Sequence, residues 1–238
     1  MRIAMWSGPR NLSTAMMYSF GARADFHIVD EPFYAPFLAR TGADHPMRAE
    51  ILAGHPTDPK KVAQSLIGPI PDDKPHFYQK HMTHHMVEGI PRDWISKVRN
   101  VFLIRHPAYV VASYAKKREG PSLDDLGFLQ QADLLEEVRA LGQTPIVIDS
   151  ADIRADPEHM LKLLCAALGL NWDASMLHWP VGGHVQDGVW SKHWYGAVHN
   201  STGFARVEDG IPLLEPEYAA LAELALPSYQ KLAKLKLA

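Results

Sequence analysis

The sequence predicts an α/β protein, a three-layer sandwich with helices on both faces of a mostly parallel central sheet. Three observations carry this. Short apolar runs of strand length recur along the chain, stretches with helical periodicity lie between them, and a strand–turn–helix unit comes first. Strands alternating with helices pair in parallel through right-handed crossovers. The 238 residues, 47% of them hydrophobic, suffice for one large core. With no repeat and no interdomain linker, a single domain over 1–238 is expected, with excursions at 34–75 and 171–206.

The elements follow in order. Residues 2–6 read as a buried strand, 7–11 as a tight turn and 12–18 as the start of a helix. Residues 26–31 form a second strand, closed by Pro32. The proline-, glycine- and histidine-rich excursion holds helical pieces at 37–40 and 60–66. A third strand is expected at 76–80, a helical turn at 91–95, and a central strand at 98–105, which is β-branched and aromatic. Pro107 opens a helix through Tyr114, since proline suits the first helical turn. Residues 123–141 read as one long amphipathic helix and 145–149 as a buried strand. Asp156 caps a helix that runs to Leu168 and stops at Gly169. The tail, 215–237, reads as helical, interrupted at Pro227.

Composition excludes several classes. A net charge of −3 gives no general basic field for nucleic acid. The single cysteine, Cys165, cannot form an internal disulfide and lies in an apolar run as a core thiol. No apolar run reaches membrane-spanning length, and no secretory leader precedes the first strand, so a cytoplasmic location is expected.

The chemistry begins in the first twenty residues. A strand, a turn holding Gly8 and Arg10, and a helix N-terminus bearing Ser13 and Thr14 make a place for a phosphate. Free backbone N–H groups and the positive end of the helix dipole converge there. A Walker A loop needs glycine, lysine and a hydroxyl where this chain has Ser13, Thr14 and Ala15. The fixed cation is instead Arg10, whose planar fork suits phosphate or sulfate oxygens without a metal. Arg105 ends a strand, and Ser113 lies about two turns into the next helix, so the pair can close on one anion.

Residues 7–14 (S-G-P-R-N-L-S-T) resemble the 5′-phosphosulfate loop of sulfotransferases, and 102–114 resemble their 3′-phosphate motif, an arginine and a serine at this spacing. Residues 146–170 are similar to that family's later strand and its E-D-L…P…L-G-L helix. The first loop departs from the family pattern at Leu12, where glycine is usual. The resemblance implies a P-loop NTPase-like topology. It also implies 3′-phosphoadenosine-5′-phosphosulfate as sulfuryl donor, a small-molecule hydroxyl or amine acceptor, and no metal. Carried onto this chain, Gly8, Pro9, Arg10, Asn11, Leu12, Ser13 and Thr14 would cradle the transferring end, and Arg105 with Ser113 the 3′-phosphate. Two candidates stand for the base that takes the acceptor proton, Glu31 after the second strand and His81 after the third. Lys80 would assist the bridging oxygen. A late loop at 187–204 loosely resembles the segment that folds over the donor, with Lys192 on a phosphate and Trp190 or Trp194 stacked on a ring.

His81, His84 and His85 also spell H-x-x-H-H, without a partner at a familiar zinc spacing. Two other readings remain open from sequence: a nucleotide-dependent phosphotransferase, and a non-catalytic binder of phosphoadenosine nucleotides.

Overall fold

The computed structural model describes residues 1–116 and 120–238. Five parallel strands form the sheet: β1 (Arg2–Ser7), β2 (Phe26–Asp30), β3 (His76–Met82), β4 (Arg99–Ile104) and β5 (Ile146–Asp149). Their order is β2-β3-β1-β4-β5. The connections leaving β1 and β3 run toward opposite edges of the sheet. The carboxyl ends of these neighbours therefore flank a crevice, where open α/β sheets bind ligands.

Period-two alternation splits the strands between two cores. Ile3 and Met5 of β1, with Val101 and Leu103 of β4, face one core. There they meet α1 (Ser13–Gly21) and α9 (Pro157–Leu168), through Met16, Phe20, Leu161 and Leu164. Ala4, Trp6, Phe102 and Ile104 face the other core. That side is covered by α4 (Pro59–Ile67), α7 (Phe128–Ala140) and α12 (Pro216–Ala233). Both faces are buried, which is why the strands read as near-continuous apolar runs.

The 34–75 excursion holds α2 (Tyr34–Thr41), the unanticipated α3 (Arg48–Gly54) and α4. Between β4 and β5 lie α5 (Pro107–Ala115), α6 (Leu123–Leu126) and α7; α8 (Ser150–Ala155) follows β5. Two one-turn helices, α10 (Ser191–Trp194) and α11 (Gly196–His199), lie in the late loop.

Three expectations need correction. The helix predicted over 123–141 is broken at Gly127, which takes φ 71°. A Cβ there would sit 2.5 Å from Thr83 Oγ1, and Thr83 donates to the Gly127 carbonyl, so the break is a docking point for the turn after β3. The tail helix continues through Pro227, because Ala222, Ala225, Ser228 and Leu232 bury one side of it. It ends at Ala233, and the last residues pair with the sheet edge instead: Leu237 N–H donates to Val147 O at 2.8 Å.

Candidate active site

A cavity of about 350 Å³ opens at the carboxyl ends of β1, β3 and β4. The loop at 9–14 forms its floor. Helix α1 starts without a side-chain cap, so its first-turn N–H groups remain available to a ligand. Arg10 (φ 62°), Leu12 (φ 71°) and Glu31 (φ 40°) hold left-handed backbone, and all three line the cavity. Such conformations cost a non-glycine residue about 1–2 kcal/mol each and concentrate where a site constrains the chain. The chain thus keeps, at Leu12, the backbone conformation that a glycine would favour. The leucine side chain packs against the α1-side core.

The loop is braced from behind. Asn11 Nδ2 donates to Leu103 O at 3.3 Å, which ties the turn to β4. Gly8 does not line the cavity: a Cβ there would lie 2.3 Å from the Leu126 carbonyl, so glycine permits close approach to α6. The sequence places Gly8 in the phosphate cradle; in the fold it sits at the back of that loop, against α6.

On one wall Arg10 Nε donates to Ser113 Oγ at 3.0 Å, and an Arg105 Nη donates to the Arg10 carbonyl. Arg105 also grips Glu208 with Nε (3.2 Å) and with its second Nη. Burial, then the nearby Arg105 charge, lowers the Arg10 pKa, which is what crowding of cations in a shielded place produces. Arg154 joins them on the same wall, and sequence reasoning passed over it.

The same cavity is lined by a buried charge cluster. Lys80 Nζ donates to Asp30 Oδ1 at 2.8 Å and to Glu31 Oε1 at 2.6 Å. The Tyr195 hydroxyl accepts from Lys80 and from Trp190 Nε1 (3.0 Å) and donates to Asp30 at 2.8 Å. Two carboxylates share one ammonium. Burial, and then the Asp30 charge, hold the Glu31 carboxyl above its ordinary pKa, with Lys80 opposing. Burial also opposes charge on Lys80, but its two acids overcome it and raise its pKa. A buried carboxylate with a raised pKa, held by an ammonium and facing a cavity, is chemically a poised proton acceptor.

His81 is not in this cavity. Successive strand residues point to opposite faces, so Lys80 and His81 cannot share one site. His81 lies under the other face, stacked on Trp6 with ring centroids 4.7 Å apart and 5.0 Å from Trp94. Burial pushes its pKa down to about 3, so the ring is neutral. The turn after β3 instead brings His84 and His85 into the cavity, beside Tyr34 and His45. Among the described residues no group of three or more His, Cys, Asp or Glu has a metal-holding arrangement.

The late loop divides as well. Trp194 lines the cavity, its ring parallel to Tyr114. Trp190 is a fully buried core residue. Lys192 is exposed and outside the cavity, because Trp190 and Tyr195, on either side of it, turn inward. Tyr195, with its hydroxyl inside the charge cluster, was legible only as one more aromatic of that loop.

Residues 1–235 match the family model described as Sulfotransferase domain. Two proteins of Arabidopsis thaliana, branched-chain-amino-acid aminotransferase-like proteins 1 and 2, are 37% identical over 227 residues and 35% over 230. Each match covers 95% of this chain and 40% of the relative, so the chain spans well under half of their length. Among solved structures, the sulfotransferase domain from the curacin biosynthetic pathway has a TM-score of 0.56 at 15% identity, covering 93% of this chain and 96% of that one. A sulfotransferase from Alicyclobacillus acidocaldarius gives 0.55 at 12% identity over 99% and 96%. The sulfotransferase domain of the Synechococcus PCC 7002 olefin synthase gives 0.51 at 17% identity, over 94% of each chain. These likenesses show the shared P-loop NTPase-like fold. With the family match over nearly its whole length, the chain belongs to the sulfotransferase domain family.

Proposed function

We propose that this protein transfers a sulfuryl group from 3′-phosphoadenosine-5′-phosphosulfate to a hydroxyl or amine of a small-molecule acceptor. The observation that carries this is the cavity's two-ended construction. The cations Arg10 and Arg105, with Ser113 and an uncapped helix start, share a cavity of about 350 Å³ with a buried Glu31–Lys80 pair. The residues fit such a donor: Arg105 already holds a carboxylate anion, and the cradle carries a fixed cation at Arg10, with Thr14 and Ala15 at the positions where magnesium chemistry would require a lysine and a hydroxyl.

When bound, the donor supplies an activated sulfuryl group whose leaving phosphate gains negative charge. Arg10, the N–H groups of 11–14 and the Ser13 and Thr14 hydroxyls would stabilise that charge without reorganising. Lys80 would serve the bridging oxygen. Arg105 and Ser113 would hold the 3′-phosphate. Glu31 would take the acceptor proton through the carboxylate that Lys80 keeps in place. His84, His85 and Tyr34 would form the wall that meets the acceptor.

Calorimetric titration with adenosine 3′,5′-bisphosphate, beside ATP with and without magnesium, tests the donor assignment. The bisphosphate is expected to bind without metal. Arg105→Ala is expected to cost about 1.5–3 kcal/mol of that affinity through loss of a charge-assisted contact. Magnesium-dependent ATP binding with no bisphosphate preference would establish a phosphotransferase instead.

A further inference from the structure

The carboxylate on Arg105 comes from a segment packed at its two ends, by Phe204 edge-on to Trp179 and by Leu214 beside α5 and α12, with little to hold it between them. Between Gly203, which bridges to His178, and Pro216, where α12 begins, residues 204–215 have no regular structure. Among the described residues no backbone–backbone hydrogen bond ties down 204–214. The segment exposes Val207, Ile211 and Leu213 to solvent. Its polar anchors converge on one place. Glu208 binds Arg105 through both carboxylate oxygens, the Arg206 carbonyl accepts from Arg154 Nη1 at 3.2 Å, and the Gly210 carbonyl accepts from the Tyr109 hydroxyl at 2.6 Å.

Arg154 is the second cation at this place. It lines the cavity from α8, with its side chain 13% exposed, and its Nε makes no hydrogen bond. The nearest acidic oxygen is Glu208 Oε2, at 3.9 Å. Burial and the Arg105 charge lower the Arg154 pKa, while Glu208 opposes. Two guanidiniums thus share one carboxylate. That leaves one positive charge unbalanced and the Arg154 Nε–H unfilled, whereas a dianion with three terminal oxygens would satisfy both.

We propose that Glu208 is an internal stand-in for a phosphate monoester dianion, held between Arg105 and Arg154 and displaced when the ligand's phosphate binds. Arg154 is then the second arm of the receptor, and 204–215 is a strap that closes over it. This rests on the reading above that Arg105 takes the donor's 3′-phosphate. Glu208 is 22% exposed, and on displacement its carboxylate passes to water, where an ion loses little. While the strap is closed, apparent affinity falls by the fraction of molecules that are open.

The test is titration of the wild type, Glu208→Gln, Arg154→Ala and Asp209→Asn with adenosine 3′,5′-bisphosphate and with adenosine 5′-monophosphate, with melting temperatures as a check on folding. Glu208→Gln should bind the bisphosphate about tenfold more tightly, since the competing charge is gone. Its affinity for the 5′-monophosphate should stay the same. Arg154→Ala should weaken only the bisphosphate, also by about tenfold. Asp209→Asn, which removes an exposed neighbouring charge, should match the wild type in both. A wild type that prefers the bisphosphate while Glu208→Gln binds it no better would overturn the strap and leave the donor reading standing. Absence of bisphosphate preference in both proteins would remove the donor reading and the strap together.

Discussion

Lys80 and His81 are adjacent on β3, both fully buried, and lie on opposite faces of the sheet. Lys80 keeps its charge because Asp30, Glu31 and Tyr195 surround it. His81 loses its charge because aromatic rings surround it: Trp6, Phe33 and Trp94. Equal burial therefore has opposite consequences. On the cavity face it concentrates electrostatic interaction between paired groups, and on the other it suppresses ionisation altogether. The cavity face is the one that keeps ionisable groups charged near neutral pH, and this is why the proposal places the base at Glu31 rather than His81.

Breaking the charged side should have the larger effect. Lys80→Met keeps most of the stem but leaves Asp30 and Glu31 buried without a counterion. A loss of about 3–5 kcal/mol is expected, measurable by urea unfolding. Restoring part of it with Asp30→Asn in the same chain would sharpen the point. A loss below about 1 kcal/mol would mean that the cluster admits water and is not the dry charge site described.

The aromatic side should respond weakly at neutral pH. His81→Phe fits a stack of rings and should cost less than about 1.5 kcal/mol. Its effect is instead in the pH dependence. The folded ring has its pKa depressed to about 3, while the unfolded ring protonates near its ordinary value. The unfolded state therefore binds more protons, and wild-type stability falls as pH drops below about 6.5, by at most about 1.4 kcal/mol per pH unit. His81→Phe should flatten that slope between pH 6.5 and 5. An unchanged slope would show that His81 is not the buried neutral group described, and that other histidines carry the dependence.

The same contrast explains what the sequence revealed. All five strands were legible, since a parallel sheet covered on both faces leaves apolar runs of strand length. That residues 9–14, Arg105, Ser113, Glu31 and Lys80 would meet at one cavity was legible, because their positions are set by local order: the ends of strands and the starts of helices. What sequence left open was tertiary. Choosing between Lys80 and His81 required the face of β3 that meets the cavity, and motif spacing does not state it. The close approach of Gly8 to the Leu126 carbonyl is likewise invisible in the motif. Arg154, Tyr195 and Glu208 come from segments far from the first loop, and only the folded chain brings them to it. Gly127 breaks a periodic helix because Thr83 docks there, a contact between residues 44 apart.

The most direct measurement compares Glu31→Gln and His81→Phe in one assay, sulfuryl transfer from the phosphoadenosine donor to an acceptor found by screening hydroxyl and amine compounds. Glu31→Gln should bind the donor normally and turn over about 10²–10⁴-fold more slowly. His81→Phe should stay near the wild-type rate. The wild-type rate should rise with pH through a pKa above the ordinary carboxylate value, because the base works ionised and burial raises its pKa. That limb should vanish in Glu31→Gln. A full rate in Glu31→Gln with a collapsed rate in His81→Phe would contradict the assignment and place the chemistry on the other face of the sheet.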